Sequence, residues 1–378
     1  MDDSTRKVPP KVSLDGTVPF SGVMPVVGNP LLGQFHELIS QSEVHWTVTY
    51  HLIRQLGAGG QSVVYLADRY GSHSATFRLA LKFFTPKNYS DEQSYQQEMS
   101  RIAHVAMRIA KIQQDHLLDV QNVVAFNQIQ AMVMEWVDGF DLDHMLDPRT
   151  LELVKSKVTG ERFEYITNVI VAATSHRLRF QPAIGVAILR ECLAGLAALH
   201  REDIVHGDLK PSNIMLKKTG NAKLIDFGSA FYLQDQPAIQ TWTPRYAAAE
   251  LLEGAPHSTA SDLASLGYVF FEMISGVSPF HGLTNLNTLV EAKKNFVHVF
   301  PDLLPKDVAS NELLVELIKG LIDADPSKRF ATAEAADLDE RGAAPLERQM
   351  VKGNLDTEHE HDIRHLLDEL GTLGTGEV

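Results

Sequence analysis

The chain has 378 residues, 44% hydrophobic and 22% charged, with a formal net charge of −14. That length supports two lobes around a sizeable core, and the composition is that of an ordinary globular protein. The acidic balance argues against nucleic acid or an anionic membrane as a main partner. A single cysteine, Cys192, precludes an internal disulfide; it sits in an apolar helical run and reads as a core residue, in keeping with a reducing compartment. No run approaches 18 uninterrupted apolar residues, and the opening Met-Asp-Asp-Ser-Thr-Arg-Lys lacks a signal-peptide core, so a cytoplasmic protein is expected.

Residues 1–45 are rich in proline and glycine, with little periodicity beyond Phe35 to Ile39, and read as an extension of a folded domain. From Trp46 to Phe84 the pattern alternates and is β-branched, with turns at Gly57 to Gly60 and Tyr70 to Ser74, which predicts three antiparallel strands. The first turn, Leu56-Gly57-Ala58-Gly59-Gly60, can bring backbone N–H groups against phosphate oxygens, although a glycine-rich turn alone is usually just a turn. Ala80-Leu81-Lys82 follows it, with Lys82 25 residues after Gly57. Ser90, followed by Asp91 and Glu92, predicts a helix start; Ile102, Val105, Ala106, Ile109 and Ile112 sustain the helix to about Gln114, with Glu98 in its first half. Asn122 to Gln130 and Ala131 to Val137 read as two further strands. Residues 147–180, of mixed charge with an apolar run at Tyr165 to Ala173, predict an inserted segment of helix or hairpin character before a helix at Pro182 to His200.

Next come two short β-type runs, Asn213 to Leu216 and Ala222 to Ile225, around a turn with Gly220 and Asn221. Asp208, Lys210 and Asn213 stand before one strand or at its start, and Asp226 stands after the other. A hairpin joins such ends, so two carboxylates, an amide and an ammonium converge. That set suits phosphoryl transfer from a magnesium nucleotide. A polar turn between buried strands accounts for any one of these residues but not for all of them at this spacing. Farther on, Ser261-Asp262 opens a run apolar nearly all round, which predicts a buried helix capped by Ser261, with an Asp262 that needs donors. Residues 331–378 carry 12 acidic and 4 basic side chains, a net of −8. Their last helical stretch, Asp356 to Leu370, places His361 and His365 at zinc-compatible i, i+4 spacing; without a third ligand, a solvated acidic helix is expected.

His206-Gly207-Asp208-Leu209-Lys210-Pro211-Ser212-Asn213 and Asp226-Phe227-Gly228 resemble the catalytic loop and metal-binding motif of the protein kinase family, in its serine/threonine branch. Gly207 replaces the arginine many members carry, which marks the non-RD subtype. The glycine-rich turn with Lys82, the segment Thr243-Pro-Arg-Tyr246-Ala-Ala-Ala249-Glu250, and Asp325-Pro326-Ser-Lys-Arg329 extend the resemblance from about Trp46 to Phe330, with Ser62 and Ala249 departing from it. The resemblance implies an α+β, two-lobed kinase fold. Its N-lobe, 46–137, would hold an antiparallel sheet and one αC helix. Its mostly helical C-lobe, 138–330, would carry the 147–180 insertion, flanked by the 1–45 extension and an acidic tail, 331–378.

By the same likeness the cofactors are ATP and Mg2+, with Mn2+ able to substitute, and the substrates are proteins with serine or threonine. Leu56, Gly57, Ala58, Gly59 and Gly60 would cover the phosphates. Val64, Ala80 and Met215 would sandwich the adenine, held by the Glu135 carbonyl and the Val137 backbone beside the gatekeeper Met134, with Asp141 reaching the ribose. Lys82, locked by Glu98, would grip the α- and β-phosphates; Asp208 would orient the acceptor hydroxyl, Lys210 balance the moving charge, and Asn213 and Asp226 hold metal. Asp262 would tie down the catalytic loop and Arg329 pair with Glu250. The 18 residues from Glu98 to His116 imply roughly two extra helical turns, which, like the insertion or the tails, would suit a regulatory partner. The positions that would hold a phosphate on Ser229 or Thr241 are Gly207, Phe231 and Ser94, none basic, so control by activation-segment phosphorylation is not expected. Two other functions are consistent with parts of the pattern. The His-Gly-Asp-x-x-x-x-Asn run also resembles small-molecule kinases of the aminoglycoside or choline type, and the departures at Ser62, Gly207 and Ala249 would suit a pseudokinase scaffold.

Overall fold

The alternating residues from Tyr50 to Phe84 form three antiparallel strands, β1 (Tyr50–Ala58), β2 (Ser62–Tyr70) and β3 (Thr76–Phe84), in a computed structural model that describes residues 48–237, 242–352 and 359–371. β4 (Val120–Phe126) and β5 (Ile129–Glu135) complete a five-stranded sheet in the order β1-β2-β3-β5-β4. The turn between them is Asn127-Gln128, both at positive φ (49° and 69°), the backbone that two-residue hairpins require. It falls inside the stretch expected to be one strand, Asn122 to Gln130, because the pair lacks the glycine that usually announces such a turn.

Helix α1 (Glu92–Ile109) packs on this sheet. Its cap is Asp91, not Ser90: the Asp91 carboxylate accepts the Ser94 N–H at 2.7 Å while the Ser94 hydroxyl accepts the Asp91 N–H at 3.3 Å. The helix ends at Ile109, five residues short of Gln114, so the expected extension loses more than one of its turns. Instead Lys111 and Ile112 donate to carbonyls three residues back, tightening the chain out of the α-helix. Tyr95 stitches helix to sheet, donating to the Phe84 carbonyl at 3.1 Å and accepting the Gln130 N–H at 2.9 Å.

Beyond β5 the chain is mainly helical. A small sheet of β6 (Gly139–Asp141), β7 (Ile214–Lys217) and β8 (Ala222–Leu224), in the order β8-β7-β6, carries the candidate site. The segment at 147–180 contains both expected characters. It has α2 (Pro148–Lys155), α3 (Gly160–Tyr165), a wide turn at Ile166–Ile170 and a short hairpin, Val171–Ala173 with Leu178–Phe180. Helix α4 (Pro182–His200) starts at proline, whose missing N–H costs nothing there. It is the one described helix long and apolar enough to cross a bilayer, and it lies buried at the centre of this lobe. Helix α5 (Thr259–Ser275) packs against it; Ser258 caps α5, with Ser261 as the reciprocal third residue. α6 (Glu312–Ile322) and α7 (Ala343–Lys352) close the core around α4 and α5.

The tail differs from the solvated helix expected. α8 (His359–Leu370) buries Ile363, Leu366, Leu367 and Leu370 and packs against α2, α4 and β7, leaving His361 and His365 exposed. The inserted segment holds it: Lys157 Nζ donates to the Leu370 carbonyl at 2.6 Å, Arg162 pairs with Glu369 at 2.7 Å, and the Tyr165 hydroxyl donates to the buried Asp362 at 2.9 Å. Gly220, at φ +100° in the β7–β8 turn, meets the start of α8 so closely that a Cβ there would lie 2.1 Å from the Glu360 carbonyl oxygen.

Arg329, 4% exposed, makes the expected fork to Glu250 at 2.7 and 2.8 Å and also donates to the Ala260 and Asp323 carbonyls. Arg329→Ala leaves Glu250 without its cation and takes one donor from each of two carbonyls, and should cost about 3–5 kcal/mol in a denaturant titration. A midpoint close to that of the unsubstituted protein would contradict this account.

Candidate active site

Antiparallel pairing of Ile214 with Leu224 sets Asn213 beside Ile225, whose N–H donates to the Asn213 carbonyl at 2.9 Å. Asp226 follows in a left-handed conformation (φ 66°) that turns its carboxylate back to accept the Gly228 N–H at 3.0 Å and the Lys82 ammonium. A Cβ at Gly228 would sit 2.7 Å from Lys82 Nζ, so a side chain there would displace the end of the lysine. Burial would raise the Asp226 carboxyl, but Lys82 and the Gly228 N–H outweigh it and hold the group at about 2.

Across the turn, Asp208 Oδ2 accepts Lys210 Nζ at 2.7 Å, and Oδ1 accepts the Thr243 hydroxyl at 2.8 Å and its N–H at 3.0 Å. The Asn213 amide nitrogen donates to the Asp208 carbonyl at 2.7 Å. The loop that presents Asp208 is anchored by Asp262, which accepts the N–H groups of His206 and Gly207 at 2.8 and 3.0 Å and His200 Nε2 at 3.0 Å. Burial pushes the Asp262 carboxyl up, yet these donors keep it below the usual range. Gly207 takes φ +79°, and a Cβ there would approach the Ser229 carbonyl oxygen to 2.9 Å, so this backbone has no room for the family's arginine.

The expected partnership of Lys82 with Glu98 is not formed. Lys82, 5% exposed, pairs with Asp226, while Glu98 is forked by Arg101 at 2.6 and 3.0 Å from one turn along α1. Arg101 also donates to the Ala230 carbonyl at 3.0 Å, tying α1 to the segment after Gly228. This arrangement gives each of four charges one opposite partner. Arg101 was not singled out from the sequence, although its position three residues after Glu98 is the spacing at which helical side chains meet.

The remaining candidates lie on or beside the strands of the five-stranded sheet and the β6–β7 pair. Val64 stands opposite Lys82 and Ala80 opposite Met134 in the strand registers, with Met134 and Val137 buried and Met215 partly so. Leu56, Gly57 and Ala58 end β1, and a Cβ at Gly57, Gly59 or Gly60 would meet nothing within 4 Å, so the loop's inner side is open. Asn88 fixes its tip by donating to the Gly60 carbonyl at 2.7 Å. The Glu135 side chain accepts the Asp119 N–H at 2.7 Å and an ion pair from the buried Lys223, a brace the sequence did not reveal. Asp141 accepts the His144 N–H at 2.9 Å and so caps the short helix Leu142–Met145; burial raises its carboxyl.

The oxygens of Asn213 and Asp226 are hard donors of the kind magnesium takes, and the ammonium now resting on Asp226 shows that this carboxylate attracts a cation. These groups sit together on a two-lobed scaffold. Residues 50–339 match the protein kinase domain, and the chain belongs to that family. It is similar to a probable serine/threonine-protein kinase of Clostridium perfringens (27% identical over 293 residues, 75% of this chain and 37% of the relative). It also resembles the probable serine/threonine-protein kinase PknB of Lactococcus lactis (24%, covering 79% and 43%) and PknA of Corynebacterium glutamicum (26%, covering 74% and 53%). The chain thus spans about half, or less, of the length of these relatives.

Asp226→Asn should remove most transfer activity and also leave the Lys82 ammonium without its carboxylate. Two-fifths of the Asp226 side chain faces solvent, so the stability loss is about 1–2 kcal/mol rather than the full cost of a buried pair. Turnover within twofold of the unsubstituted protein, in a variant shown to be folded, would rule out the assigned role.

Proposed function

We propose that this chain is a serine/threonine protein kinase that transfers the ATP γ-phosphoryl group to protein hydroxyls. The observation that carries the reading is the hydroxyl of Thr243, 2.8 Å from Asp208 Oδ1 and 3.3 Å from Lys210 Nζ, a position in which an acceptor hydroxyl would find both its base and a cation. In this mechanism Asp208 orients the hydroxyl and accepts its proton, and Lys210 neutralises charge building on the transferred group. Lys82 binds the nucleotide phosphates, and Val64, Ala80, Met134 and Met215 enclose the base. Asn213 and Asp226 would hold magnesium, which supplies charge neutralisation at the phosphates when bound.

Asp208→Ala should cut kcat by about 10²- to 10⁴-fold with little change in ATP affinity, because its contact is with the hydroxyl. A fall in affinity with turnover preserved, measured by titration calorimetry beside a labelled-ATP assay, would mean that the roles are misassigned. Including amino alcohols among the acceptors separates this reading from that of a small-molecule kinase.

We further propose that activity does not depend on phosphate in the activation segment. Gly207 has no space for a side chain, Phe231 is buried, Ser94 is tied into the α1 cap, and Arg101 is already forked on Glu98. Thr241 lies outside the described residues; Ser229 and Thr241 are tested together. A Ser229→Ala/Thr241→Ala variant and phosphatase-treated protein should both keep turnover within about threefold, since none of the three positions that would form the socket for such a phosphate is basic. A tenfold loss in either would reverse the conclusion.

A further inference from the structure

Beside Lys210 and Thr243 opens a pocket of about 480 Å³ with Phe280, Leu283 and Leu289 on its apolar side. Because both residues bond Asp208, a peptide presenting its hydroxyl there would run its neighbouring side chains into this pocket. Which side chains fit is decided by the charges left unmatched.

The acids around the pocket are already engaged. Glu272, fully buried, accepts Arg177 Nη1 at 2.7 Å and the Tyr246 hydroxyl at 2.6 Å. Asp143 accepts Arg177 Nη2 at 2.8 Å. Burial works against the Arg177 charge, but Asp143 and Glu272 outweigh it and hold the guanidinium firmly protonated. Lys210 is matched by Asp208. Arg245 is different: its Nη1 donates to the neutral Ser278 hydroxyl at 3.0 Å, and no carboxylate pairs with it among the described residues. Its backbone is held in place by Lys293, which is completely buried, lies 4.1 and 4.2 Å from the ring centres of Tyr268 and Phe280, and donates to the Arg245 carbonyl at 2.7 Å. Burial drives the Lys293 amine well below the ordinary lysine range. In a chain of net charge −14, the pocket therefore offers an unmatched guanidinium beside an apolar wall and no unpaired acid.

We propose that Arg245 makes this kinase select protein substrates with an acidic side chain, aspartate or glutamate, close to the phosphorylated residue, and disfavour a basic one there. The proposal rests on the protein kinase reading above. A peptide with a central serine, scanned with Glu, Gln or Lys at each of the three positions on either side, should give a kcat/KM for Glu about three- to tenfold above Gln at one or more positions, and Lys below Gln, as expected for one partly shielded ion pair. The difference should lie mainly in KM and shrink as salt rises. Arg245→Gln should collapse the Glu-to-Lys ratio and Arg245→Glu invert it. Should Arg245→Glu fail to fold, Arg245→Gln, with circular dichroism matching the unsubstituted protein, carries the test alone. A flat profile, or a preference for Lys read by Asp143, overturns the proposal and leaves the kinase reading standing. Absence of transfer to every peptide and to a generic protein substrate overturns both.

Discussion

Asp262 holds the backbone from which the rest of the site extends. A carboxylate at 1% exposure is costly to bury, and what offsets the cost is a set of three donors, two of them main-chain N–H groups of the loop carrying Asp208. Such bonds are strong in a poorly polar interior, and the loop cannot slide without stranding a charge. Asp208, the Asn213 amide bonded to its carbonyl, and the hairpin leading to Asp226 therefore inherit their positions from helix α5. The fork between Arg329 and Glu250 does the same at the other end of the platform. Two carboxylates, each matched by its own donors, thus fix a site whose working groups are partly open.

The pairing at Lys82 follows from charge balance. With Asp226 and Glu98 on one side and Lys82 and Arg101 on the other, the observed arrangement matches every charge. The exchange expected from the family would leave Arg101 with the Ala230 carbonyl alone and Asp226 without a cation. Arg101 therefore ties α1 to the Ala230 carbonyl while occupying the glutamate that the family resemblance assigns to Lys82.

Much of this was legible in the sequence because it is written locally. Proline at the first turn and an unbroken apolar run mark the helix from Pro182 to His200 at both ends, and the hairpin around Gly220 announces the convergence of Asn213 and Asp226. Asp262's need for donors also appeared in advance, since a lone charge in an apolar run must find a partner, whereas the Arg329–Glu250 fork was legible only through the family resemblance. What escaped was chosen by competition or by distant neighbours. Arg101 outcompetes Lys82 for Glu98, Lys223 braces Glu135 from another sheet, and Ser258 takes the cap from Ser261. The acidic tail looked solvated because its charge masks an apolar stripe, Ile363, Leu366, Leu367 and Leu370, whose counterpart lies some two hundred residues earlier.

That stripe alters where the working unit ends. The region shared with the family stops at residue 339, yet α8 sits against the turn that joins β7 and β8. At Gly220 the clearance is less than one methyl group, so the turn and the helix were shaped to each other. Seen only within the shared region, Gly220 is an ordinary turn glycine; seen with α8, it is half of a joint. The hairpin that ends in Asn213 and Asp226 is thus buttressed by chain beyond the family boundary, and a side chain at Gly220 would fit only if that helix moved aside.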